Sequence, residues 1–467
     1  MKKILPLIII IFTLFSCTND EITDPEIKNP DVENPDVVLP VVSYSIPDSL
    51  NFSAFNSKLI LNIKNNGKAV INYNINSSDS SISFSLTSGD ITAGNQSEIV
   101  VNANRNNLQI GKSYSKIFLT INNKIESIVV SVDTFKEQKT ILPTDVVDAE
   151  YSKITDQLVY VSANPSRVNI FSSASETTET ISLLYTPTCI SISQDGKTAA
   201  VGHDGHITYV NLNNKSIINT YDVSCSANDI VLGNNKWAYV FPEQNQWTFI
   251  RCVNMNLPEN NESIQSGSQI YAGTKGRLHP SGKYIYGANN GLSPSDIEKY
   301  NIQNGVGEYS YDSPYHGDYS MNGNLWFSED GSRIFTRGKT VLKTSETKAQ
   351  DMTYNGKINT DSNANIEWLD HSANKGNLYV ILSNGDYWTN KKTPFVNVYN
   401  ASNLNFKSKI ELEKFAVPNN NNGGGNFYDA EPYFVFSNSV GNNLFVLIKA
   451  TGSGLDKEWG IQKITIE

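Results

Sequence analysis

Apolar and polar residues alternate with a period of two through most of the chain, and helical spacing is scarce. Between residues 42 and 135 the alternation is clear in Lys58-Leu59-Ile60-Leu61-Asn62-Ile63, Ile71-Asn72-Tyr73-Asn74-Ile75 and Glu98-Ile99-Val100-Val101. It returns in Lys116-Ile117-Phe118-Leu119-Thr120-Ile121 and Ser127-Ile128-Val129-Val130-Ser131-Val132. A period of two sends successive side chains to opposite faces of a strand, so each run has one face to bury. Turn-forming clusters separate the runs: Asn65-Asn66-Gly67, Ser88-Gly89-Asp90, Ala93-Gly94-Asn95 and Ile110-Gly111. Short strands at this spacing predict a small β-sandwich.

Beyond residue 140 the pattern repeats. An apolar strand, a polar turn and a second strand rich in Tyr, Val and Ile recur about every 47 residues, a spacing typical of propeller blades. The turns are Thr155-Asp156-Gln157, Gln194-Asp195-Gly196-Lys197, Gly233-Asn234-Asn235-Lys236, Pro280-Ser281-Gly282-Lys283, Glu329-Asp330-Gly331-Ser332-Arg333, Ala373-Asn374-Lys375-Gly376-Asn377 and Val440-Gly441-Asn442-Asn443. A four-stranded blade buries its faces only against its neighbours, so seven such units predict a closed ring over residues 140–467. The fold expected is therefore all-β: a small Ig-like β-sandwich followed by a seven-bladed β-propeller. A second long sandwich or a β-helix is the competing architecture.

The N-terminus reads as a leader. Lys2 and Lys3 precede an apolar run from Ile4 to Phe15 that is too short to cross a hydrocarbon core of about 30 Å as a helix. Leu14-Phe15-Ser16-Cys17 resembles the lipobox of bacterial lipoproteins, which implies a signal peptide over 1–16 and lipidation of Cys17. Acyl chains there would anchor the protein firmly. The resemblance extends to Asp20-Glu21, similar to tags that direct such lipoproteins to the outer membrane, facing the exterior. Residues 17–41 form a tether: Pro25, Pro30, Pro35 and Pro40 recur every five residues and favour an extended chain.

Pro47-x-x-Leu50-x-Phe52, Ile63-x-Asn65-x-Gly67, Ser88-Gly89-x-Ile91-x-Ala93-Gly94 and Arg105 through Tyr114 resemble the BACON-like, immunoglobulin-type domains of surface lipoproteins. That resemblance implies either carbohydrate binding or a spacer, and the absence of tryptophan from this segment favours the spacer. Val159-Tyr160-Val161-Ser162-Ala163-Asn164 with Val168-x-Ile170 resembles the YVTN-type blade.

Charge narrows the partners. The chain carries 37 Lys and Arg against 47 Asp and Glu, a net charge of −10, and no basic block. It is a poor counterion for nucleic acid, and it meets a membrane only through the lipid anchor. There is no His-Glu-x-x-His, Gly-x-Ser-x-Gly or P-loop sequence. His203-Asp204-Gly205-His206 reads as a hairpin turn before it reads as a metal site. After lipidation three thiols remain; Cys189 and Cys225 are the candidate disulfide pair, and free buried thiols are the alternative.

Two sets of candidate site residues follow from the propeller register. Loops between the second and third strands, and those joining blades, emerge on one face. That face collects Trp247, Tyr387, Trp388 and Trp459, with Tyr311, Tyr315 and His316 from one inter-blade segment and Phe427 and Tyr428 from another. Aromatic rings beside Asn, Asp and Gln suit sugar stacking or a protein hot spot, and the same residues can simply pack loop on loop. The second set, Asp148, Glu150, Asp229, Glu367, Asp429 and Glu431, falls at comparable places on inner strands. In register these carboxylates would rim the central channel, either as a solvated ring or as oxygen ligands for Ca²⁺; no cofactor is required.

The sequence thus predicts a surface lipoprotein that binds an extracellular glycan, or a partner protein of a nutrient-uptake complex, without catalysis. Two rivals stay open. The YVTN resemblance extends to lactonases, lyases and quinoprotein dehydrogenases, and a purely structural subunit would need no site at all.

Overall fold

A computed structural model describes residues 42–360, 363–383, 391–418, 424–452, 454–455 and 458–466. Cys17, the tether, Tyr387, Trp388 and Asn419–Gly423 lie outside the described residues. Almost all regular structure is strand; one 3₁₀ turn, Lys348–Gln350, is the exception among the described residues. No described helix is long and apolar enough to cross a membrane.

The N-terminal part is two sheets packed face to face. One contains Tyr44–Ser45, Lys58–Asn65, Gln96–Ala103 and Ile82–Phe84; the other contains Ser49–Phe52, Lys124–Thr134, Gly111–Ile121, Ile71–Ser77 and Ser88–Ile91. The alternation seen in the sequence is the cause. Leu61, Ile63, Ile99 and Val101 of the first sheet meet Ile75, Ile117, Leu119 and Val130 of the second in one buried cluster. Ser49–Phe52 runs parallel to Lys124–Thr134, whereas the other pairings are antiparallel.

Residues 140–466 form seven successive antiparallel sheet units among the described residues. The first contains Asp148–Ser152, Gln157–Ala163, Ser166–Ser172 and Thr178–Ser182. The fourth contains Lys275–Leu278, Tyr284–Ala288, Ile297–Asn301 and Glu308–Asp312; the fifth, Leu325–Phe327, Arg333–Thr336, Thr340–Lys343 and Tyr354–Lys357. The sixth contains Asn365–Ser372, Asn377–Ser383, Phe395–Asn400 and Phe406–Glu411. The second and third are joined without a loop, because the outer strand of one, Ser216–Leu232, continues as the inner strand of the other. The seventh is completed by the start of the repeat region: Thr140–Ile141 pairs with Trp459–Thr465 at its outer edge, next to Asn443–Ala450 and Ala430–Ser437.

Each predicted turn joins the first strand of a unit to the second, and each holds a residue at positive φ. These are Asp156, Gly196, Lys236, Gly282, Gly331, Gly376 and Gly441, all between +50° and +76°. Side chains other than glycine resist that region, which explains why glycine fills it in five of the seven. The His203–His206 hairpin also holds. Thr198–Asn211 folds back at Gly205, where φ is +73°, and the Leu212 N–H reaches the Lys197 carbonyl at 2.9 Å. The turn separates the two imidazoles. His203 is buried between the Thr186 carbonyl and Thr208 Oγ1 at 3.0 and 2.9 Å, while His206 stacks on Tyr185.

Second and third strands supply several buried tyrosines, and three of their phenols donate to buried acceptors: Tyr239 to the Gly305 carbonyl, Tyr286 to Asp351 and Tyr300 to Glu298. Cys189, Cys225 and Cys252 are unpaired, so the candidate Cys189–Cys225 disulfide is not formed and the alternative of free thiols describes them. Cys189 is instead packed under Gly202 and Ala227 within an apolar cluster.

The sandwich touches the repeat region through aromatic side chains. Phe427, on a two-stranded excursion (Phe415–Pro418 with Gly425–Tyr428), packs 5.0 Å from Phe55 and 5.4 Å from Phe135 between ring centres. Beside it, the buried Lys139 ammonium donates to Glu413 and to the Lys414 carbonyl at 3.0 and 2.8 Å.

Candidate functional site

The first strands of all seven units face one another across a common space. It has a larger part of about 510 Å³ and a smaller part of about 250 Å³, which share Glu150, Tyr151, Lys153, Arg277, Leu278 and Glu329. The first, fifth, sixth and seventh units present aromatic rings: Tyr151, Trp326, Phe327, Trp368 and Phe436. The second, third and fourth present Ser191, Ser193, Gln194, Ile230, Val231 and Gly276. The space is therefore aromatic on one side, while the other mixes hydroxyl and amide groups with the aliphatic Ile192, Ile230, Val231 and Leu278.

Trp368 is the centre of the aromatic side. Its ring meets Trp326 edge-on at 6.0 Å, Phe434 at 4.7 Å and Phe436 at 5.6 Å, and the Arg277 guanidinium lies 5.9 Å from its centre. Tyr151 stacks on Phe436 at 5.9 Å. Edge-to-face packing fixes the ring orientations. The Trp326 indole N–H is buried and has no hydrogen-bond partner.

At the end nearer the first turns, one lysine ties four units together. Lys153 Nζ donates to Glu329 at 2.5 Å, to the His371 carbonyl at 2.9 Å and to Ser437 Oγ at 3.0 Å, and lies 3.5 Å from Asp370. Asp370 also receives the Ser437 N–H and hydroxyl. His371 accepts the Glu329 N–H at Nδ1, and burial lowers its pKa, so the ring is neutral with its proton on Nε2.

Three of the six sequence-predicted carboxylates lie close together, and of these Glu150 lines the space. Asp148 and Glu150, two residues apart on one strand, accept the Ile190 and Ile192 N–H groups at 2.9 and 2.6 Å. Burial pushes Asp148 up to about 6, with the Asp229 charge adding to it, and pushes Glu150 up to about 8. Asp229 accepts from Arg277 and from the Gly276 N–H, each at 3.0 Å. The other three lie apart, each held by its own cation: Glu367 by Arg337 at 2.8 Å, Glu431 by Lys392 at 3.0 Å and Asp429 by Lys414 at 2.9 Å. The expected acidic rim is thus a set of ion pairs, with the chain's own bases opposite four of the six carboxylates.

The aromatic set predicted for the loop face is dispersed. Trp247 is 53% exposed and meets Tyr271 edge-on at 5.4 Å. Tyr311 donates to Asp351 inside the cluster around Lys299. Tyr315 packs against Tyr319, which stacks on Tyr354 at 4.3 Å. His316 lies 3.3 Å from Asp296, and together with Asp312 these form a group whose donor atoms all lie within 4.8 Å of one another. Phe427 rests on the sandwich, Tyr428 packs against the core, and Trp459 is buried against Tyr433. None of them lines the axial space.

Sequence reasoning missed Trp326, Trp368, Arg277 and Lys153, which define that space. A signal was present: Trp326 and Trp368 occupy the first strands of their units, a few residues before the repeated turns, as Glu150 does. Aligning the seven turns would have put them on one axis.

No protein-family model matches the chain, and no curated protein is similar to it in sequence. Solved structures are similar in fold. The β-propeller domain of Cps50 (Swd1) from Myceliophteria thermophila aligns over 70% of this chain and 100% of its own length, with a TM-score of 0.50 and 10% identity. Hydrazine synthase of Kuenenia stuttgartiensis aligns over 71% and 89%, at TM-score 0.37 and 15% identity. A quinonprotein alcohol dehydrogenase-like protein of Bacteroides thetaiotaomicron aligns over 80% and 96%, at 0.41 and 10%. The last two likenesses are too loose to carry an argument. The chain is all-β, and its structural neighbours include a β-propeller.

Proposed function

We propose that the protein is a lipid-anchored, outward-facing outer-membrane lipoprotein whose propeller binds an extracellular glycan in the axial space without catalysis. In this reading Cys17 carries the lipid, residues 17–41 are the tether, the BACON-like Ig-type sandwich is a spacer, and the seven sheet units are the blades of a YVTN-type ring. One observation carries the ligand class: the space has tryptophan and tyrosine rings on one side, and Ser191, Ser193 and Gln194 among aliphatic side chains on the other. A pyranose has the matching asymmetry, with a C–H face that stacks on rings and an edge of hydroxyls that need hydrogen bonds. A recessed space of this size suits a small flat ligand better than a protein surface, whose anchors need a broad contact.

The test is glycan-array binding of the purified protein, followed by titration calorimetry on any hit with Trp368→Ala. Binding that survives this substitution unchanged would move the ligand away from the axis. The anchor is tested separately: Cys17→Ala should abolish incorporation of an alkynyl palmitate label and release the protein from the membrane fraction.

A further inference from the structure

Ser193 and Gln194 line the axial space and also a second, larger cavity of about 850 Å³. This cavity is lined by the second and third units and their turns, and it adjoins the axial space at those two residues, where Gln194 bridges Asn234 and the His279 and Pro280 carbonyls. Its walls are rich in amides, including Asn211, Asn213 and Asn256. Its charge is also unlike that of the protein as a whole, which is −10. Lys197 and Lys236 line it, opposed by the single carboxylate of Asp195.

That carboxylate is largely consumed by its own turn. It accepts the Ser193 hydroxyl at 2.7 Å and the Lys197 N–H at 3.1 Å, and the Ser193 hydrogen bond leads in holding it below the usual carboxylate range. Its contact with the Lys197 ammonium is loose, 3.6 Å between two side chains that are more than half exposed. The Lys236 ammonium makes no ion pair or hydrogen bond with any described residue. The cleft therefore offers two ammonium groups with unspent donors beside amides that can serve hydroxyls.

We propose that the axial space and this cleft form one groove for an oligosaccharide bearing anionic groups, with the chain leaving the axis between the second and third units. The proposal rests on the glycan reading above and adds the length and charge of the ligand. Stacking at Trp368 holds one sugar ring, and Lys197 and Lys236 hold carboxylate or sulfate groups further along.

The experiment is calorimetric titration of the full protein with oligogalacturonate, a sulfated dextran oligomer, xylohexaose and maltohexaose. It is repeated with Lys197→Ala/Lys236→Ala and with Trp368→Ala. An anionic oligomer should bind more tightly than either neutral one and weaken as salt rises, because exposed charge pairs are screened. The double lysine variant should lose at least about tenfold in affinity with its unfolding midpoint unchanged, since both side chains are exposed. Response to only one anionic oligomer supports the proposal and identifies the group as carboxylate or sulfate. Neutral oligomers binding as tightly as anionic ones, or a double variant binding like wild type, overturns the cleft assignment and leaves the glycan reading standing. Absence of binding to any saccharide overturns both.

Discussion

Lys299 and Asp351 are an ion pair with almost no solvent contact, side chains 2% and 0% exposed, 2.7 Å apart. The lysine also donates to the Tyr311 hydroxyl and the Ser345 carbonyl, and sits 4.2 Å above the Tyr284 ring. The carboxylate also accepts from the Tyr286 and Tyr311 hydroxyls and from the Ser345 N–H. Lys299→Met keeps the aliphatic bulk but strands a carboxylate in a dry site, which costs about 3–5 kcal/mol. Asp351→Asn strands the ammonium and should cost a similar amount. The double variant removes both charges while the Asn oxygen still accepts from the tyrosines. It should therefore be more stable than the two separate losses predict, by at least about 2 kcal/mol. Urea unfolding followed by tryptophan fluorescence is the assay. It reports the repeat region alone, because residues 42–135 contain no tryptophan. A loss below about 1 kcal/mol in Lys299→Met, as for an exposed pair, would refute the reasoning. So would strict additivity in the double variant.

Four further outcomes are expected. Gly376→Ala and Gly331→Ala separate backbone strain from crowding. Both sit at positive φ, but a Cβ at 376 meets nothing within 4 Å, whereas at 331 it lies 2.9 Å from the His279 ring. The first should cost about 1–2 kcal/mol and the second more, by thermal unfolding. Glu150 titrates near 8 when folded against an ordinary 4.5, so the folded state holds the extra proton between those values. Stability from this group is complete below about 4.5 and falls as pH rises toward 8; Glu150→Gln should flatten that fall in a melting series across the window. Phe427→Ala should free the sandwich from the ring, seen as faster proteolysis near residues 135–139 and a longer particle in X-ray scattering. Native protein at pH 8 should react slowly with a thiol reagent at Cys225 and not at Cys189 or Cys252, and denatured protein at all three. Burial keeps all three thiols above their ordinary range, and loss of a thiol on denaturation without reductant would point to a disulfide.

The strands and turns were legible because they depend on local chemistry. Alternation such as Ile71-Asn72-Tyr73-Asn74-Ile75 dictates which face is buried, and Asp-Gly and Asn-rich turns supply the positive φ that the backbone needs. The site was legible only in part. Asp148, Glu150 and Asp229 do come together, because their place relative to the turns fixes their height on the axis. What they face could not be read from that spacing: Arg277 reaches Asp229 from 48 residues away. The described members of the aromatic set are dispersed for a related reason. Trp459 and Trp247 are both near strand ends, yet one is packed under Tyr433 and the other is exposed, and only the neighbouring loop decides between these outcomes.

The seam of the ring has a mechanical consequence. Thr140–Ile141 closes the seventh unit through just two residue pairs, Thr140 with Ile461 and Ile141 with Gly460, and the chain passes from it directly into the sandwich. Within the sandwich the second strand, Ser49–Phe52, and the last, Lys124–Thr134, run parallel. A pull on the two ends of that domain therefore loads their hydrogen bonds in shear, all at once. At the seam few bonds share the load, and the Lys139 contacts with Glu413 and Lys414 stand in series just ahead of them. Under tension from the N-terminal side, this joint should open before the parallel pair Ser49–Phe52 and Lys124–Thr134 yields, an order that single-molecule pulling would read.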